Sequence, residues 1–222
     1  MKKIILFLSF AVLAVFYSPV LAERKTISLP EEIESLIVDA KVVRYDNFED
    51  PQKSDWELES SSKIENGILS LKGVPNWEGY VKTKRKVNAN RGFILSYKYS
   101  MGSDFAIYLD HGNWGTETYK RFGVSPVQLR TNIYQGQQGL GWKYLPTNFY
   151  AKADTWYTIL LAVADGGEFL AVIWEKDNPE NAARYHEAIP AWEEISWNIF
   201  LSANTGEIEI DNFRLLSFST FK

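Results

Sequence analysis

The chain has 222 residues, enough for one domain with a sizeable core and too few for two ordinary domains with a linker. It has no cysteine, which excludes disulfides, a thiolate nucleophile and thiolate metal ligands, and with two histidines it cannot build a site from several imidazoles. The formal net charge of −4 argues against nucleic acid or an anionic membrane as a general partner.

The N-terminus carries Lys2 and Lys3, an apolar run from Ile4 to Phe16, and then Val20-Leu21-Ala22, with small side chains where a signal peptidase would read. Residues 1–22 are therefore expected to be a signal peptide, and the mature protein to be secreted or periplasmic. No membrane partner is expected after cleavage, because no cysteine is present to carry a lipid. The mature part, from Glu23, has 22 basic against 28 acidic residues and holds 29 aromatics, all eight tryptophans among them.

Residues 23–40 read as a lead-in. Pro30 before Glu31 and Glu32 is a helix start, and Ile33, Leu36, Ile37 and Ala40 recur at helical spacing. From residue 41 to 222 the patterns are those of strands. Asn66-Gly67 between the apolar runs of residues 63–73 predicts a hairpin, since both turn residues tolerate positive φ. A second hairpin joins residues 156–164 to 169–176 through Asp165-Gly166-Gly167, and both of its arms are rich in β-branched and aromatic residues. Further strands are expected at 80–87, 93–100, 105–110, 127–134, 197–203 and 207–216. With residues 178–188 read as about two helical turns, the whole makes ten to twelve strands. That pattern predicts an all-β fold, an antiparallel jelly-roll sandwich of two sheets.

Alternation sets the faces. Val127, Leu129, Thr131 and Ile133 share one side of their strand, and Gln128, Arg130, Asn132 and Tyr134 the other. Phe105, Ile107 and Leu109 oppose Tyr108 and Asp110, while Phe93, Leu95, Tyr97 and Tyr99 oppose Ser96 and Lys98. If these strands share a sheet, its outer face carries tyrosine, amide, carboxylate and guanidinium groups together. Near Asp211-Asn212 the apolar parity changes between Ile210 and Phe213, which a bulge would reconcile.

Three stretches resemble the concanavalin A-like lectin and glucanase superfamily. They are the opening DNFEDPQKSDWELESSSKIENGILSLKG, the hairpin WYTILLAVADGGEFLAVIWEKD and the closing GEIEIDNFRLLSF. The resemblance implies a jelly-roll fold that hosts lectins, enzymes, adhesins and spacers alike. It also supplies a test of glucanase chemistry, because family 16 enzymes place Glu-x-Asp-x-x-Glu on one strand for retaining hydrolysis. Glu209-Ile210-Asp211 matches the first half, but the acid/base position is Arg214, which has no proton to give at neutral pH.

The remaining candidates are ligand-binding. Glycine-rich loops beside Trp114 and Trp142, and the weaker case of Trp77, can present ring faces to the C–H groups of a pyranose, although packing beneath a loop is the alternative for each. Tyr108, Asp110, Arg130, Asn132 and Tyr134 would form the groove that these tryptophans rim, with Arg130 anchoring a hydroxyl pair or a uronate. Trp56, Trp156, Trp174 and Trp197 are expected in the core. Asp46, Glu49 and Asp211, on what would be the first and last strands, are candidate calcium ligands, with local hydrogen bonding as the alternative; no other cofactor is expected. The leading expectation is a non-catalytic module binding a neutral or mildly acidic glycan. A sugar-acting enzyme and a protein-binding adhesion or spacer domain remain as alternatives.

Overall fold

The computed structural model describes residues 31–140, 143, 145 and 149–222; residues 1–22, expected as a signal peptide, lead-in residues 23–30 and Trp142 lie outside them. A single helical turn, α1 (Glu31–Glu34), precedes β1 (Ile37–Val38), β2 (Lys41–Asp46), β3 (Trp56–Leu58), β4 (Ser62–Glu65), β5 (Ile68–Lys72) and β6 (Gly79–Thr83). Then come β7 (Arg91–Tyr99), β8 (Asp104–His111), β9 (Lys120–Ser125), β10 (Arg130–Gln135), β11 (Gln138–Gly139) and β12 (Tyr157–Ala164). The chain ends with β13 (Glu168–Glu175), β14 (Asn178–Ala188), β15 (Asn198–Thr205), β16 (Glu207–Ser217) and β17 (Thr220–Phe221).

Two antiparallel sheets face each other. The front sheet has seven strands in the order β11-β10-β9-β8-β15-β6-β3. The back sheet runs β14-β13-β12-β7-β16-β5-β4, and β2 adds an eighth strand by pairing with β16. Both predicted hairpins form. Asn66 and Gly67 take φ of 52° and 74°, the double positive that matches the right-handed twist of the flanking strands. The expected bulge in β16 is also present: its pairing with β7 shifts between Asp211 and Arg214, and Asn212 sits at φ 53°. The bulge lets β5 pair with Glu207–Ile210 and β2 with Phe213–Ser217 along one side of the same strand.

The main core lies between the sheets and is largely aromatic. Phe169 packs edge-on against Trp192 and Trp197 and tilts against Phe122, while Tyr97 meets Phe105 and Tyr157. A second apolar cluster covers the outer side of the back sheet, where Ile33 and Ile37 of the lead-in pack with Ile94, Leu160, Leu170, Trp174 and Phe218. This explains why β12 is an unbroken apolar run: all eight of its residues are buried, because core covers one side and the lead-in the other. At roughly 1.5–3 kcal/mol per fully buried large aliphatic side chain, Ile33 and Ile37 tie the lead-in firmly to the domain.

Several expectations are corrected. Residues 178–188 form strand β14 at the sheet edge, not a helix; their alternately exposed pattern and pairing to β13 override the helix-forming Ala and Glu content. β7 belongs to the back sheet, so its polar residues do not share a face with those of β8 and β10. In the 127–134 segment the strand begins only at Arg130, because Leu129 turns the chain at φ 47°. Trp156 is half-buried between Lys98 and Lys176 instead of lying in the core. The strand expected at 80–87 is β6, which runs Gly79–Thr83, so Lys84, Arg85 and Lys86 lie beyond its end.

Candidate functional site

Five strands of the front sheet present a polar face away from the core. Antiparallel register builds this face in rows, because directly opposed residues project to the same side. One row is Tyr134, Arg121, Asp110 and Asn198, on β10, β9, β8 and β15. The next is Asn132, Gly123, Tyr108, Phe200 and Lys82, which extends to β6. The third includes Arg130 opposite Ser125, and Ser202 opposite Tyr80. Together with two rims these rows enclose a cleft of about 790 Å³.

The floor is a continuous stack. Tyr80 lies against Phe200 at 5.0 Å between ring centroids, Phe200 against Tyr108 at 5.0 Å, and the Arg121 guanidinium sits 3.7 Å from the Tyr108 ring centroid. These spacings match the separation of neighbouring strands, so each ring turns its face to the next strand and offers the cleft its edge. Tyr108 is consequently buried, with its hydroxyl donating to Ser202 Oγ at 3.1 Å. It braces the floor rather than offering a free stacking face. Gly123 makes room for the stack: a Cβ there would lie 2.2 Å from Tyr108 Cβ and 2.4 Å from the Ile107 carbonyl oxygen.

The exposed rings are at the rims. Trp114, on the loop after β8, is 55% exposed and packs edge-on against Tyr119 and Tyr134. Gly112 and Gly115, both at positive φ, give that loop its turns. On the opposite side Trp77, 39% exposed, sits in a turn where Asn76 and Trp77 both adopt φ near 64°. Two successive non-glycine residues in this region cost of order 1–2 kcal/mol each, and strain of this kind is concentrated where a side chain must be aimed.

Asp110 is the one carboxylate among the described residues lining the cleft. Burial pushes its pKa up to about 6, against the opposing pull of the Arg121 charge and then the Tyr119 hydroxyl. Its Oδ1 is 3.9 Å from Arg121 Nε, an ion pair without a hydrogen bond. Asp110 Oδ1, Arg121 Nε and Asn132 Oδ1 are all buried, and none forms a hydrogen bond within the protein. Such groups are costly unless something else satisfies them, and here they line a cleft.

The structure thus gathers Trp77, Tyr108, Asp110, Trp114, Arg130, Asn132 and Tyr134 around one cleft. Sequence reading missed Arg121, Phe200, Tyr80 and Asn198. Parity in the 197–203 segment would have found Asn198, Phe200 and Ser202, opposite Trp197, Ile199 and Leu201; β9 was not recognised as a strand at all. The partial glucanase motif lies elsewhere, on the back sheet. Glu209 pairs with Lys98 at 2.7 Å, and Asp211 accepts from the Asn212 backbone at 2.6 Å. His111, the last residue of β8, lies outside the cleft lining, with its Nδ1 2.9 Å from the Ser196 carbonyl oxygen.

Of the two readings of Asp46, Glu49 and Asp211, calcium ligation or local hydrogen bonding, the contacts of Asp46 and Asp211 favour the second. Asp46 spends both oxygens locally, on the Phe48 N–H and the Ser54 hydroxyl, each at 2.9 Å. Asp211 is committed to Asn212, and among the described residues no three carboxylates or imidazoles are grouped to hold a metal.

No family model matches the chain, and no curated protein does. Solved structures do. An endo-β-1,3-glucanase from Pyrococcus furiosus superposes with a TM-score of 0.60 at 12% identity, covering 86% of this chain and all of that one. A non-specific endo-β-1,3(4)-glucanase of family GH16 gives 0.59 at 12% identity, over 87% of this chain and 94% of that one. Lectin I-B4 from Griffonia simplicifolia gives 0.54 at 11% identity, over 78% and 97%. At such identities the likeness is one of fold. The chain has the concanavalin A-like jelly-roll fold that glucanases and legume lectins share.

Proposed function

We propose that this is an exported, non-catalytic carbohydrate-binding module that takes a neutral or mildly acidic glycan in the front-sheet cleft. The observation that carries the reading is the set of buried, unsatisfied polar atoms on Asp110, Arg121 and Asn132 at the floor, beneath the exposed rings of Trp114 and Trp77. Sugar hydroxyls both donate and accept, so one ring can satisfy a carboxylate, a guanidinium and an amide at once. Indole faces at the rims suit the C–H faces of pyranoses. The neighbours of the same fold include a carbohydrate recognition domain and a lectin, which supports binding, and glucanases, which support a sugar ligand of either kind. Export rests on the basic, apolar and small-residue order of residues 1–22.

Asp110 favours a second reading. A carboxyl with pKa about 6 is suited to general acid work at mildly acidic pH. Hydrolysis by the usual route needs a second carboxylate about 5 to 9.5 Å away, and no other lines the cleft among the described residues. Affinity electrophoresis in glycan-containing gels, with a parallel assay for new reducing ends, separates the two. Retardation without product release is the expected result; product release that is lost in Asp110→Asn would establish the enzyme. Binding to no glycan on a broad array would overturn both.

A further inference from the structure

We infer that the cleft selects an anionic polysaccharide, carrying carboxylate or sulfate groups on its sugar rings, over a neutral one. This deepens the carbohydrate reading and rests on it. In a chain of net charge −4, the cleft collects Lys82, Lys86, Arg121 and Arg130 against one carboxylate, Asp110. Lys82 is shared with Glu57 at the sheet edge, at 3.1 Å, and the surplus stays positive after that pairing is counted.

The floor reinforces the sign. Because Tyr80 and Phe200 stack face to face on each other and on the buried Tyr108, these two part-exposed rings turn their edges, the positive part of the ring quadrupole, toward the ligand. Arg121 is held by stacking on Tyr108 and not by a forked bond to Asp110, so its Nε–H is directed at no protein acceptor. A guanidinium positioned in this way presents donors matched to a planar carboxylate or to two sulfate oxygens. Lys86 also lines a second cavity of about 440 Å³, where Arg44 and Arg85 both pair with Asp55 and the three cations outnumber that one carboxylate. A polymer with charge on successive residues would follow those cations.

The test is calorimetric titration of the full mature protein with four polymers: polygalacturonate, the same polymer after carboxyl reduction, a sulfated galactan and neutral laminarin. Polygalacturonate or the sulfated galactan is expected to bind at least tenfold tighter than the two neutral polymers. That binding should weaken at least about fivefold between 50 and 500 mM NaCl, as screening shortens the reach of the charges. The double substitution Lys82→Gln/Lys86→Gln should weaken it severalfold while lowering the melting temperature by no more than a few degrees, the scale of losing the partly exposed Lys82–Glu57 pair. Preference for the sulfated galactan alone would make sulfate the source of the anion and support the inference. Equal affinity for polygalacturonate and its reduced form, with no binding of the sulfated polymer, would overturn the anion preference and leave the glycan-binding reading standing. Binding to none of the four would overturn the anion preference, and binding to no glycan on the broad array would overturn the glycan reading itself.

Discussion

The Arg121 guanidinium lies over the Tyr108 ring, 3.7 Å from its centroid, while its Nε stays 3.9 Å from Asp110 Oδ1. It is held by the ring contact together with a long ion pair. Arg121→Gln should therefore remove both the cleft's central cation and the cover over Tyr108. Glycan affinity is expected to fall by at least tenfold, with a loss of about 1–2 kcal/mol in stability from the desolvated cation–π contact. Titration and thermal melts of the same variant check both halves.

Trp114 is more than half exposed and meets Tyr119 and Tyr134 in T-shaped contacts, with the Arg121 guanidinium 5.6 Å from its ring, so its removal should leave the fold intact. Trp114→Ala is expected to weaken binding by about 5- to 30-fold, on the scale of one aromatic stacking contact of about 1–2 kcal/mol, and to shift the melting temperature little. Circular dichroism beside affinity electrophoresis separates these effects.

Asp110 makes stability depend on pH. Its folded pKa, about 6, lies above the unfolded value near 3.8, so the native state binds the extra proton between these values. Its contribution to stability falls as pH rises from about 4 through 6 and is then constant, a penalty of order 3 kcal/mol at neutral pH. Asp110→Asn, which keeps the shape of the neutral acid, should raise the melting temperature at pH 7.5 and give no advantage at pH 4. For an anionic glycan, neutralising Asp110 also raises the positive charge of the cleft, so wild-type affinity should increase as pH drops from 7.5 to 5.5.

Gly123 is the one floor position that the Tyr108 stack leaves without room for a side chain. Gly123→Ala should cost about 1–3 kcal/mol, or roughly 2–10 °C in melting temperature, and should disturb binding by displacing Tyr108 and the arginine above it. Near-ultraviolet circular dichroism would report the disturbed tyrosine environment.

Glu209 supplies the opposite expectation. It lies on the back sheet paired to Lys98, with Ile208 and Ile210 pointing into the core on either side. Glu209→Gln should leave glycan binding unchanged and alter stability by no more than about 1 kcal/mol, the usual range for a partly exposed ion pair. A large loss of binding in this variant would contradict the placement of the site on the front sheet.

What could be read in advance follows the range over which each signal acts. The Asn66-Gly67 turn, the Asp165-Gly166-Gly167 hairpin and the parity change at Asp211 are local, and each appears where backbone chemistry demands it. Residues 178–188 misled because β14 lies at a sheet edge, where alternate side chains meet water and little apolar periodicity is left to read. Trp156 misled for a related reason: two lysines, not the core, cover its ring.

The sequence by itself determined the chemical class of the protein: a cysteine-free, aromatic-rich chain whose period-two alternation and turn residues admit an antiparallel sandwich. It also marked which side of β8 and β10 is polar. Only the tertiary structure decided that β9, β15 and β6 complete that face, that β7 does not, and that Arg121 lies at its centre. Strand order is set by long-range pairing and by which apolar faces can be buried together, and neither is written within any single segment. Tyr80 and Ser202 are 122 positions apart in the chain, yet they are directly opposed in the sheet, and the cleft exists because of that pairing.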